Sequence, residues 1–142
     1  MDVIAKYLTE DAKFLKIKDH SAAGTSTITS DEVDGRGYCA ACFFTSFGTA
    51  NAGNLITVHH SATTGAEAAS VAHIESGTSD EDCIVDIVIN PAYPFLKLVA
   101  TVGSSSTVES MWCILYGARS KSQTSTLSGT AIVAQFESPA LV

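Results

Sequence analysis

Residues 37–47 read GYCAACFFTSF. The ten residues from Tyr38 to Phe47 hold no Gly or Pro and are rich in aromatic and small apolar residues, a composition that suits a strand. Within them Cys39 and Cys42 stand at the Cys-x-x-Cys spacing of redox and zinc modules. Such a module needs a turn or a helix N-terminus to bring both sulfurs to one side. In a strand, side chains alternate faces, so residues three apart point in opposite directions. The reading therefore predicts two diverging thiols, neither bonded to the other nor sharing a metal. Cys83 and Cys113 lie alone in other apolar stretches, so all four thiols are expected to be buried and to act as small hydrophobes.

The same texture recurs outward from this stretch. Short β-branched and aromatic runs predict strands at Phe14–Lys18, Thr25–Ser30, Tyr38–Phe47, Leu55–His60, Ser70–Ile74, Asp82–Ile89, Phe95–Val102, Glu109–Tyr116 and Thr130–Phe136. Turn chemistry separates them at Asp34–Gly35, Gly53–Asn54, Thr64–Gly65, Ser76–Gly77, Asn90–Pro91 and Gly103–Ser104. Residues Asp2–Leu8 fit an edge strand or a helical turn, and the alanines of Thr63–Ala72 fit a short helix. Eight or nine strands with apolar faces must pack as two layers or close on themselves. The fold expected is all-β, a single-domain two-sheet β-sandwich that is jelly-roll-like, with a fibronectin-like sandwich as the alternative. Residues 1–12 read as an N-terminal arm or edge strand and 13–136 as the sandwich, with a polar loop at 118–128. Residues 137–142 read as an apolar C-terminal tail, which must tuck into its own core or dock on a neighbouring chain.

A chain of 142 residues buries enough surface to need no metal or disulfide. Charged residues make up 16% and hydrophobic ones 46%, so part of the surface is expected to be covered by something other than water. A net charge of −7 argues against a nucleic-acid partner. No apolar run approaches the length of a membrane helix, and no secretory signal is read, so folding in a cytoplasm is expected. Lys6, Lys13, Lys16 and Lys18 suit a strand edge protected by charge.

Candidate chemistry is thin. His59 and His60 are adjacent in a strand and should face opposite ways, one to solvent and one to an interface, while His20 and His73 complete no metal pattern. The serines lack a nucleophile elbow. Asp80–Glu81–Asp82 lacks the calcium-loop pattern and reads as a solvated loop. Asp86, between Ile84 and Val88, should face water or pair with Lys97 or Arg119. Phosphate-binding loops are missing. The sequence assigns no catalytic, cofactor-binding or metal-binding residue, and the expected protein is not an enzyme.

One resemblance enters here. Asp34 and Gly37–Tyr38, then Phe43–Gly48, Gly53–Val58 and His60–Ser61 follow a succession that resembles small structural proteins of tailed phages. Val85–Ile87, Asn90–Pro91, Phe95–Lys97, Glu109–Ser110 and Ile114–Ser120 continue it. The resemblance implies a β-sandwich or jelly-roll head decoration (cement) protein, commonly a homotrimer, that binds the major capsid protein on the virion surface after synthesis in the host cytoplasm. Related proteins of tails and spikes imply an alternative, a tail, neck or fibre-associated β-sandwich protein, with Tyr93, Phe95 and Trp112 as the candidate stacking platform for a carbohydrate.

Overall fold

A computed structural model describes residues 7–118. The predicted strand Thr130–Phe136, the 118–128 loop beyond Ala118, the tail 137–142, most of the arm at 1–12, and Arg119 lie outside the described residues.

The architecture is all-β with one helical turn, α1 (Leu8–Asp11), before the first strand. The strands are β1 (Lys13–Lys18), β2 (Ser21–Gly24), β3 (Ile28–Thr29), β4 (Val33–Asp34), β5 (Tyr38–Ser46) and β6 (Leu55–Ser61), followed by β7 (Ala69–Glu75), β8 (Asp82–Val88), β9 (Phe95–Thr101), β10 (Ser106–Val108) and β11 (Met111–Ala118). One sheet, here sheet I, has the order β1-β11-β5-β8; the other, sheet II, has β3-β9-β6-β7, with β4 also pairing β9. Every pairing is antiparallel.

The pairings nest. β1 joins β11, β2 joins β10, and β3 and β4 join β9, so the two ends of the chain form one long ribbon that passes from sheet I to sheet II. Inside it, β5 joins β8 and β6 joins β7. A nested ribbon rolled into two facing sheets is the jelly roll. Its topology, rather than its strand count, sets it apart from the fibronectin-like alternative.

The core lies between the sheets. Phe43, Phe47, Leu98, Met111, Cys113 and Leu115 are each wholly buried, with Ile56, Val58, Val33 and Leu96 nearly so. These are alternate residues on their strands, as period-two packing requires. Asn90 makes the predicted turn, its Oδ1 accepting the Ala92 N–H at 3.0 Å. At Gly35 a Cβ would lie 2.9 Å from Pro94 O and from Ile89 Cδ1, so the turn before β5 closes only on glycine.

Two expectations are corrected. Thr63–Ala72 forms no helix: residues 62–68 are a loop, and β7 begins at Ala69. Gly65 has φ +78° and the Glu32 carboxylate takes the Thr64 hydroxyl and the Gly65 N–H, so side-chain bonds displace helical ones. Within Thr25–Ser30 only Ile28–Thr29 is a strand, while Ser21–Gly24 and Ser106–Val108 pair without an apolar pattern to announce them. At the N-terminus, the helical turn at Leu8–Asp11 leads into β1, whose Lys13, Lys16 and Lys18 do lie on a sheet edge.

A candidate assembly face

Each sheet buries one face, so the question is what the other two faces carry. Register fixes the outward set of sheet I. Phe44 lies opposite Trp112 and Ile84, Cys42 opposite Ile114 and Asp86, and Ala40 opposite Tyr116 and Val88. On β1, Phe14 is opposite Ile114 and Lys16 opposite Trp112. This face is largely apolar, though Lys16 of β1 and Asp82 and Asp86 of β8 also lie on it. Phe44 and Trp112 stack with centroids 6.3 Å apart and planes 6° from parallel. Ile84 is 62% exposed and Val88 85%.

Of its two carboxylates, Asp82 opens β8 and Asp86 is partnered on the face. The Tyr116 hydroxyl donates to Asp86 Oδ1 at 2.6 Å, reaching across β5. That hydrogen bond to the carboxylate raises the Tyr116 pKa to about 12. Of the outcomes foreseen for Asp86, facing water is the one found, because the face is open. Lys97 is on the other sheet and is engaged elsewhere.

The outward set of sheet II mixes polar side chains with Leu55, Val99 and Phe95. Thr57, His59 and Ser61 of β6 lie opposite Val99, Lys97 and Phe95 of β9, and His73 of β7 lies opposite Thr57. The 62–68 loop is pinned over part of this face. Glu67 has a fully buried side chain with its Oε2 3.3 Å from Lys97 Nζ. The Glu32 carboxylate accepts the Thr64 hydroxyl and the Gly65 N–H, which fastens this loop to the segment before β4. Sequence reasoning missed Glu67; a lone Glu in an alanine-rich stretch carries no signal of its distant partner.

The cysteines are all free, and they divide differently from the expectation of four buried thiols. Cys83 and Cys113 are buried, Cys42 is half-buried on the outward face of sheet I, and Cys39 is exposed. Strict alternation would turn Cys39 inward with Ala41 and Phe43. Instead Tyr38 takes the inward place and Ala40 and Ala41 are both buried, so alternation slips at this end of β5. The cause lies on the partner strand. Gly117 faces Cys39 with φ +65°, and a Cβ there would lie 3.1 Å from the Cys39 Cβ. Burial raises the pKa of Cys113 and of Cys83, and burial followed by the charge of Asp86 raises that of Cys42. None of these three is an activated nucleophile.

The remaining candidates separate. His59 is on the outward face of sheet II, whereas His60 turns to the end of the sandwich and stacks on Tyr93 at 4.7 Å. His20 is 3.1 Å from Glu109, and His73 is exposed. Among the described residues no three His, Cys, Asp or Glu side chains group as metal ligands. Asp80, Glu81 and Asp82 are exposed, and Asp80 has φ 59° in its loop. Tyr93, Phe95 and Trp112 do not share a platform: Tyr93 is on His60, Phe95 lies under Arg36 at 5.3 Å on sheet II, and Trp112 is on sheet I. The proposed stacking surface for a sugar is therefore not assembled from these three.

A buried polar latch closes one end of the sandwich. The Asn54 side-chain amide donates to Ser106 Oγ at 3.0 Å, and its Oδ1 accepts the Gly103 N–H at 3.0 Å. A Cβ at Gly103 would lie 2.1 Å from Ala52 O, so the two turns interlock only through glycine.

No family model matches the chain, and no curated protein matches it. Among solved structures, a chain described under "Bacillus endospore appendages form a novel family of disulfide-linked pili" matches with a TM-score of 0.47 and 13% identity. The match covers 83% of this chain and 99% of that one. A likeness this distant decides neither function nor cysteine pairing here. No helix among the described residues is long and apolar enough to cross a membrane.

Proposed function

We propose that this chain is a non-enzymatic structural subunit of a protein assembly, and that it works through the outward face of sheet I. The observation that carries the reading is the solvent-facing apolar sheet built on Phe44, Trp112, Ile114, Ile84 and Val88. An apolar surface of this kind, with its charged residues confined to β1 and β8, is the character of an interface. The more polar face of sheet II is the side that meets water.

The particular assembly proposed is the head of a tailed phage, with the protein as a trimeric decoration subunit on the major capsid protein. Support comes from the resemblance in strand ends and from the jelly roll. Three tethered subunits would multiply weak contacts to a shell, and binding only the assembled lattice would stabilise it by mass action. In this reading residues 13–136 form the sandwich unit, flanked by an arm and a tail. The second reading, a tail, neck or fibre subunit, keeps the same face and changes its location.

Light scattering of the purified chain tests the general proposal: a discrete oligomer is expected, and a strict monomer that binds no partner surface would end it. Cosedimentation with purified phage heads and with tails tests the particular one, with binding to heads alone expected.

A further inference from the structure

Register arranges the outward face of sheet I in rows across its four strands. Lys16, Trp112, Phe44 and Ile84 make one row, and Phe14, Ile114, Cys42 and Asp86 make the next. On the other side of the first row, Ser46 stands opposite Asp82. The three most exposed large apolar side chains belong to this sheet or lead into it: Val88 and Ile84 on β8, and Leu8, 60% exposed, on the helical turn that abuts β1 and β11. Val71 and Tyr93 are less exposed and lie elsewhere, on β7 of sheet II and in the turn after β8.

The charges of the face sit on its two edges with opposite sign. β1 brings Lys16 to one edge, and β8 brings Asp82 and Asp86 to the other. Lys16 is level with Ile84, so the two carboxylates stand one on each side of that level, each about 6.7 Å away along β8. Within the subunit Lys16 pairs with Asp19 at 2.7 Å, but the Asp19 side chain is 87% exposed, and an ion pair so open to water contributes little. Two carboxylates on a face cleared of water would hold the same ammonium more strongly.

A face laid out in this way complements itself under one rotation. A two-fold axis parallel to the strands lays β1 of one copy over β8 of the other and β11 over β5, and it keeps every row at its own level. Lys16 then meets Ile84 of the second copy, between Asp82 and Asp86, and Trp112 meets Phe44. A two-fold across the strands lays β1 on β1 and β8 on β8, so that base faces base and acid faces acid. Charge selects the first axis.

We propose that two copies of this chain pair face to face through sheet I, about a two-fold axis parallel to its strands, with Lys16 of each copy seated between Asp82 and Asp86 of the other. This rests on the reading of the chain as an assembly subunit that works through this face, and it names the occupant of the face as a second copy. Four strands of about eight residues make a face of roughly 500 Å² per copy, about 1,000 Å² for the pair, which is the lower bound of a specific interface. The pair is therefore reversible, with a dissociation constant on the order of micromolar.

Sedimentation velocity on the full-length chain and on two charge-reversed variants, Lys16→Glu and the double substitution Asp82→Lys with Asp86→Lys, tests the pairing. The unmodified chain is expected as an oligomer of even copy number, two, or six where three-fold contacts also form. Each variant alone sets like charges against each other and should pair on the order of 100-fold more weakly. An equimolar mixture of the two restores opposite charges at both edges and should recover the parent affinity to within about tenfold. Unfolding transitions equal to that of the parent show that the variants keep the fold; if Asp86→Lys loosens β8 by releasing Tyr116, Asp82→Lys alone carries the test with an effect of about tenfold. Folded variants that pair as tightly alone as the parent overturn the proposal, as does a mixture that stays apart. An unmodified chain found as a trimer, or as a monomer that cosediments with phage heads or tails, overturns the pairing and leaves the assembly reading intact. A monomer that binds neither ends both.

Discussion

The two outward faces of the sandwich come from the same kind of strand and have opposite fates. On sheet II, β6 and β9 turn threonines, serine, His59 and Lys97 outward, and the 62–68 loop is fastened there by Glu67 on Lys97 and by Glu32 on Thr64. On sheet I, β5 and β11 turn Cys42, Phe44, Trp112 and Ile114 outward. A polar face can be finished by water and a few ion pairs. An apolar face of four strands leaves its cost outstanding until something else covers it. Function is therefore sought on sheet I.

The sharpest way to break this contrast uses adjacent residues of one strand. Phe43 is wholly buried and Phe44 faces out. Phe43→Ala should cost about 3–5 kcal/mol of folding stability by denaturant titration. Phe44→Ala should cost under about 1 kcal/mol and reduce association instead. Equal losses of stability would mean that both faces of β5 are interior to one domain.

On sheet II, Lys97→Met should destabilise by about 3 kcal/mol in thermal or chemical unfolding, because it leaves the Glu67 carboxylate buried without its cation. That figure is the low end of the range for a broken buried pair, since the Lys97 side chain is 26% exposed. The paired substitution Ile84→Asp and Val88→Asp has the opposite signature. It should weaken association by on the order of 100-fold, about 2.7 kcal/mol, while the unfolding midpoint of the monomer stays within about 0.5 kcal/mol of the parent.

The smallest effects are spectroscopic. Tyr116 should ionise only near pH 12 in an ultraviolet titration. Its folded pKa is raised, so the stabilisation is complete below about pH 10 and is lost as the pH climbs from there through about 12. Asp86→Asn should bring the phenol back towards 10. Among the four thiols, Cys39 should react first with a thiol reagent under native conditions, with Cys83 and Cys113 protected.

Much of this was legible in residue order. The stretches that became β5, β6, β8 and β9 are those where apolar and β-branched residues run unbroken between turn signals, and there the strand boundaries agree to within a residue or so. Asn90 announced its turn for a local reason, a side-chain oxygen two residues from the N–H it accepts, whereas Gly35 is required by Ile89 and Pro94, more than fifty positions away. Thr63–Ala72 failed because helix propensity is local, while Glu32 and Lys97, which decide that loop, are about thirty residues away on either side. β2 and β10 failed because SAAG and STV are held by the ribbon they belong to, not by a pattern of their own. The two-faced apolar character of β5 was visible in GYCAACFF, but whether Cys39 faces inward depended on Gly117, nearly eighty positions later.

By itself, then, the sequence determined the all-β class and the turns, because alternation and turn chemistry act over two to four residues. Only the tertiary structure decided that the strands nest as a jelly roll, that Cys39 is exposed and that Asp86 meets Tyr116. Each of those depends on register between strands far apart in the chain, and register is set by which partner's side chains fill the shared core.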